Sequence, residues 1–179
     1  MLILQSIYEL TIISLVTRLA LTISGDFAEV GVFGGGSAKI ICMAKKARHL
    51  YLFDTFQGMP KPAKEDTGIA EFTLRASIED VERELSSYPN VHIYKGLFPQ
   101  TAEGIRNKTF AFVHLDADLY ESTKQSLEFF YPRMVKGGII LMHDYQRIKG
   151  VTKAIDEFYQ GKPEPVEMTS SSQALIFKV

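Results

Sequence analysis

From Gly25 onward the chain alternates short apolar runs with longer segments of helical spacing, and this rhythm limits the fold more than any other feature. The apolar runs are "FAEVGV" (27–32), "HLYLFD" (49–54), "VHIYKG" (91–96), "FAFVHLD" (110–116) and "GGIILMH" (137–143). Between and after them lie "AKIICMAKKA", "SIEDVERELSSY", "STKQSLEFFYPRM" and "VTKAIDEFY", each read as a helix. Ser77 is placed to cap the second of these, with Asp80 three residues on. Strands alternating with helices imply βαβ units, hence an α/β fold on a mostly parallel sheet. Runs without polar alternation fit strands covered on both faces. "PVEMTS" and "QALIFKV" are expected to close the sheet as an antiparallel pair.

In open sheets of this kind ligands bind beyond the carboxyl ends of the strands. Those ends are Glu29 to Gly31, Asp54, Gly96, Asp116 to Asp118, and His143 with Asp144. Nearly every one carries an acid or a glycine. A single Asp at a turn means little, because Asp is a common turn residue. Two pairs, Asp116 with Asp118 and His143 with Asp144, at adjacent strand ends point instead to a metal or catalytic site.

The turn "EVGVFGGGS" (29–37) has glycines that let backbone approach a ligand, followed by a helix N-terminus suited to a negative group. Spacing rules out two familiar ligand loops. A P-loop counted from Gly31 has its second glycine at Gly36, but Ser37 stands where the lysine is required. The dinucleotide pattern G-x-G-x-x-G fails from Gly31 at Phe33 and from Gly34 at Lys39. This disfavours a nicotinamide oxidoreductase. What remains is an acid and glycines at one strand end, with Asp54 lying 23 residues after Gly31. An acid at the end of the neighbouring strand can take both hydroxyls of a ribose.

The remaining features set limits. The 179 residues suit one domain with a sizeable core. A net charge of −1 gives no basic footprint for nucleic acid. The lone Cys42 cannot form an intrachain disulfide, which fits a reducing compartment such as the cytoplasm. Residues 1–24 are apolar, but they carry Glu9 and Arg18 and lack a basic leader and cleavage site. They are read as one or two amphipathic helices packing on the domain or on a second copy of the chain, not as a membrane span. Gln57 to Ala76 is rich in Pro, Gly and charge, leaves from the ligand rim, and is read as a lid loop. His49, His92 and His114 lie in or beside strands and are read as packing or surface residues.

The stretches "GDFAEVGVFGGGS", "LYLFDTFQGMPKP", "IEDVERELSSYPNVHIYKGLFPQT", "FVHLDADLYESTKQSLEFFYPRMVKGGIILMHDY" and "GVTKAIDEF" resemble a class I S-adenosylmethionine-dependent methyltransferase. In particular they resemble the macrocin O-methyltransferase (TylF/MycF/NovP) family, whose members usually have a longer N-terminal region. "LDADLYEST" and "LFDTFQGMP" are the most specific matches.

The resemblance implies a Rossmann-like, seven-stranded sheet with helices on both faces and a C-terminal antiparallel hairpin. It implies that Glu29, Gly31, Gly35 and Ser37 cradle the methionine part of the cofactor, that Asp54 binds its ribose, and that Gly96 and Phe98 lie by the adenine. Asp116, His143 and Asp144 fall where the family places divalent metal ligands, usually for Mg²⁺, and Asp118 falls where a general base is proposed. The acceptor it implies is a hydroxyl of a small molecule such as a sugar or glycosylated metabolite. This chain departs from the family at His143, where an Asp is common. Imidazole suits transition ions better than Mg²⁺. His143 is therefore read as a ligand for such an ion, as a neighbour that leaves Mg²⁺ to the acids, or as a base itself. The rival readings are a SAM-binding module without catalysis, and a methyltransferase for a nitrogen or protein acceptor.

Overall fold

The computed structural model describes residues 4–71 and 73–179; of the segments read above, positions 1–3 and Phe72 lie outside them. Seven strands form one sheet: β1 (Asp26–Val30), β2 (Leu50–Asp54), β3 (Val91–Lys95), β4 (Phe110–Leu115), β5 (Met134–His143), β6 (Glu167–Met168) and β7 (Gln173–Phe177). Their order is β3-β2-β1-β4-β5-β7-β6. The first five pair in parallel, whereas β7 runs antiparallel to both β5 and β6. This is the expected Rossmann-like sheet with a closing antiparallel pair.

Helices cover both faces. α1 (Ile7–Ala20), α2 (Gly36–Ala44) and α3 (Ile78–Leu85) pack Leu10, Ile13, Ile41, Val81 and Leu85 against Phe27, Leu52, Phe112 and Leu141. α4 (Tyr120–Phe130), α5 (Lys149–Tyr159) and a short 3-10 turn (Gln100–Ile105) cover the other face with Leu127, Phe130, Ile155 and Ile105. Because strand side chains alternate, each strand except the short, exposed β6 feeds both cores. Ala28 and Val30 go to one layer, and Phe27 to the other.

The N-terminal segment forms one helix rather than two. Ser6 caps it, its hydroxyl taking the Glu9 amide while the Glu9 carboxylate takes the Ser6 amide. Its outer side leaves Ile7, Tyr8, Leu15 and Leu19 exposed. Among the described residues, no helix is long and apolar enough to cross a membrane. β5 begins three residues before Gly137, at Met134. Between Phe110 and Phe112 the β4–β5 register jumps, from Met134 to Ile139, so the extra residues of "MVKGG" bulge out of the ladder.

The strand order reverses at β1, which has β2 on one side and β4 on the other. Helices diverge to opposite faces there, so a crevice opens past the carboxyl ends of these strands.

Candidate active site

A cleft enclosing about 1020 Å³, open solvent at its mouth included, lies at that reversal point. Gly31, Ser37, Asp54, Gly96, Phe98, Asp116, Asp118, His143 and Asp144 all line it. They come together because hydrogen bonds between strands continue into the turns. The Gly31 amide bonds to Phe53 O, Gly96 to Asp54 O and Asp116 to Val30 O, each at 2.9 Å.

Gly31 has φ +88°, and a Cβ placed on it would come within 1.8 Å of the Asp116 carbonyl. Any side chain there would force the glycine turn away from the acids, so a glycine is required. Gly35 also takes a left-handed conformation and stands at the N-cap of α2 without a side-chain cap. It does not line the cleft; an added Cβ would meet Val81. The uncapped amides at the start of α2, beside Ser37, suit a negative group. Asp54 holds the turn in place. Its Oδ2 accepts from the Val32 and Phe33 amides, both at 2.8 Å, and Oδ1 from Phe56 at 2.7 Å. A carboxylate has about four acceptor positions, so one remains for a hydroxyl in the cleft. Phe98 packs edge-on to Phe53 and stacks on Phe130, which fixes its ring beside the cleft.

Glu29 does not line the cleft but lies behind it, in hydrogen-bond contact with Ser37. It is 0% exposed, two residues inside the sheet, and its Oε1 meets Nδ1 of His114 at 2.8 Å. The two residues are direct partners in the β1–β4 register. Burial raises the Glu29 carboxyl above its ordinary range, against the hydrogen bond from His114.

The acidic end of the cleft is electrostatically dense. Asp118 and Asp144 both adopt left-handed backbone, with φ of 58° and 56°. Asp tolerates this region better than most residues, and such strain collects at functional sites. Nδ1 of His143 lies 2.9 Å from Asp116 Oδ1 and 3.2 Å from Asp144 Oδ2. One donor atom from each of Asp116, His143 and Asp144 falls within a 4.8 Å group. Yet Nδ1 is buried and makes no well-formed hydrogen bond. Two carboxylate oxygens and one imidazole nitrogen facing inward together fit a divalent cation.

Burial lowers the His143 pKa, but the close Asp116 and Asp144 carboxylates outweigh it and push it up to about 11. Asp118 and Asp144 move in opposite directions. Burial, the Asp116 charge and a hydrogen bond to Asp144 raise the Asp118 carboxyl. Asp144 is lowered: burial opposes this, but His143 prevails.

Four site residues were not singled out from the sequence. Gln5 Nε2 donates to Asp116 Oδ2 at 2.5 Å. Glu9, only 7% exposed, places Oε1 3.1 Å from Nε2 of His143. The Ser6-x-x-Glu9 capping pattern marks a helix start, but nothing local marks this contact. Ser122 lines the cleft from α4. Asp66, buried in the segment read as a lid, accepts from the Tyr120 amide at 2.8 Å and from Ala63 at 2.9 Å. That segment also brings Gly58, Met59, Pro60 and Leu74 to the cleft wall.

The description macrocin-O-methyltransferase (TylF) matches residues 12–173. An 8-demethyl-8-(2,3-dimethoxy-alpha-L-rhamnosyl)-tetracenomycin-C 4'-O-methyltransferase of Streptomyces olivaceus is 31% identical over 146 residues, 72% of this chain and 56% of that protein. The demethyldecarbamoylnovobiocin O-methyltransferase of Streptomyces niveus is 29% identical over 153 residues, 76% of this chain and 58% of that protein. The chain thus spans less than two thirds of these curated relatives. Among solved structures, the O-methyltransferase NovP superposes with a TM-score of 0.81 at 24% identity, covering 97% of this chain and 81% of that one. The calicheamicin methyltransferase CalS11 gives 0.78 at 20% identity, over 94% and 78%. At these identities the likeness is one of fold. The profile match over nearly the whole chain decides the family: this protein belongs to the macrocin-O-methyltransferase (TylF) family.

Proposed function

We propose that the cleft binds S-adenosylmethionine beside a divalent ion, and that the protein methylates a hydroxyl of a small molecule, a sugar or glycosylated metabolite. One observation carries this reading. The glycine turn with Asp54 and Gly96 opens into the same cleft as the cluster of Asp116, Asp118, His143 and Asp144. Relatives named for O-methylation of a rhamnosyl-tetracenomycin and of a novobiocin precursor support the acceptor class.

S-adenosylmethionine, when bound, supplies a methyl group already activated on a sulfonium. Gly31 leaves room for the methionine part, and Ser37 with the first amides of α2 receives its carboxylate. The free acceptor position of Asp54 takes a ribose hydroxyl, and Phe98 with Gly96 flanks the base. Glu29 contributes from behind, fixing β1 to β4 through His114 so that Gly31 keeps its place. Gly35 does likewise through its left-handed turn.

Asp116, His143 and Asp144 would hold the divalent ion, which polarises an acceptor oxygen and offsets local negative charge. Asp118 stands next to that cluster and takes the acceptor proton. Nε2 of His143 is taken by Glu9, and Nδ1 points with the two acids into the cluster. His143 is therefore given the ligand's place and Asp118 the base's. The segment around Asp66 closes over the cleft and excludes water.

The test is methyl transfer from S-adenosylmethionine to a panel of glycosylated metabolites, with and without EDTA. Transfer that EDTA abolishes and a divalent ion restores is the expected result. Full transfer in EDTA removes the metal from the reading, and S-adenosylhomocysteine failing to bind removes the cofactor.

A further inference from the structure

His143 is the one nitrogen donor in a cluster otherwise made of carboxylates, and its far side is built as carefully as its near side. Glu9 reaches it from α1, across 134 residues of sequence. The Glu9 carboxylate is held at both oxygens. Oε2 accepts from the Ser6 amide at 2.6 Å and the Ser6 hydroxyl at 2.7 Å, while Oε1 accepts from the Ser172 hydroxyl and faces His143 Nε2 at 3.1 Å. Three donors are thus already set against the two oxygens, which leaves Oε1 facing the ring as an acceptor. The proton in the Glu9–His143 contact therefore sits on Nε2. A cation that displaces the Nδ1 proton then meets the lone pair of Nδ1, the atom that faces Asp116 and Asp144.

We propose that Glu9 is a positioning residue that fixes the Nε2–H tautomer of His143, so that Nδ1 joins Asp116 and Asp144 in a mixed nitrogen–oxygen site preferring a transition ion such as Mn²⁺ to Mg²⁺. This rests on the divalent-ion reading above. A ligating histidine whose second nitrogen donates to a carboxylate is a recurrent device that orients the ring and raises its basicity. One imidazole with two carboxylates favours Mn²⁺ and the later first-row ions, whereas Mg²⁺ takes oxygen donors and keeps several waters. Ser6 and Ser172 extend the arrangement: one ties Glu9 to the start of α1, the other to the residue before β7, whose Gln173 pairs with His143. The first turn of α1 thereby becomes part of the metal centre.

The experiment is binding of Mn²⁺ and of Mg²⁺ alone, by calorimetry, to wild type, Glu9→Gln, Ser172→Ala and His143→Asp. Electron spin-echo measurements on the Mn²⁺ forms look for coupling to a ring nitrogen. Circular dichroism and binding of S-adenosylhomocysteine report on folding. Wild type is expected to bind Mn²⁺ more tightly than Mg²⁺ and to show the nitrogen coupling. Glu9→Gln is expected to lose about 10–100-fold in Mn²⁺ affinity, with S-adenosylhomocysteine binding retained. Ser172→Ala, which leaves the helix cap intact, is expected to lose affinity in the same direction. His143→Asp is expected to abolish the coupling and narrow the preference for Mn²⁺. Wild type that binds neither ion overturns the divalent-ion reading as a whole. Wild type that binds Mn²⁺ without nitrogen coupling, or folded Glu9→Gln and Ser172→Ala with unchanged Mn²⁺ affinity, overturns the role of Glu9 while the ion reading stands.

Discussion

At the residue scale the account turns on the different duties of Asp116 and Asp118, two positions apart at the end of β4. Asp116 faces His143, whereas Asp118 is turned aside by its left-handed backbone toward Asp144. Burial and the neighbouring acids keep the Asp118 carboxyl above its ordinary range. A raised carboxyl holds its proton to higher pH, so a cation at the Asp116 cluster favours the ionised base. Asp118→Asn is expected to lower turnover by about 10²–10⁴-fold, while calorimetry finds S-adenosylhomocysteine affinity nearly unchanged. The limb of the pH–rate profile that reports base ionisation should vanish from any remaining activity. Turnover equal to wild type would end the base assignment. These acids were legible in the sequence because they interrupt apolar runs where strands stop. Glu29 was less so. It lies only two residues before Gly31, but strand alternation and the β1–β4 register turn it onto His114, 85 residues away. Glu9 was invisible as a site residue for the same reason, since no local pattern reports a contact between α1 and β5.

At the element scale, the strands and helices followed from apolar runs, the Ser77 cap and helical spacing, with ends shifted by a few residues. β5 starts earlier than its glycines imply, because Gly137 and Gly138 lie in a bulge within the strand rather than a turn before it. The segment 57–76 shows what composition can and cannot say. Its prolines and glycines marked it as irregular, but not how it is held. Asp66 pins it to the N-terminus of α4 through the Tyr120 amide, and Glu65 pairs with Lys153 of α5 at 3.0 Å. Asp66→Ala leaves two backbone donors without their acceptor, a loss of about 1–3 kcal/mol. Limited proteolysis should then cut faster within 57–76, and KM for the acceptor should rise more than kcat falls. An unchanged cleavage pattern would show that the segment is anchored elsewhere.

At the scale of the whole molecule, alternation of strands and helices foretold a parallel sheet, but not its order. The order depends on which helix crosses which face, a matter of packing between the two apolar layers. That order places the reversal at β1, and the reversal puts the glycine turn and the acidic cluster at one opening. The central claim is that this opening holds cofactor and ion side by side. A crystal structure with S-adenosylhomocysteine and Mn²⁺ tests it most directly. The account predicts the nucleoside along Asp54, Gly96 and Phe98, the sulfur directed at Asp118, and the ion on Asp116, His143 Nδ1 and Asp144. A nucleoside bound outside this cleft, or an ion held without Asp116 and Asp144, would contradict it.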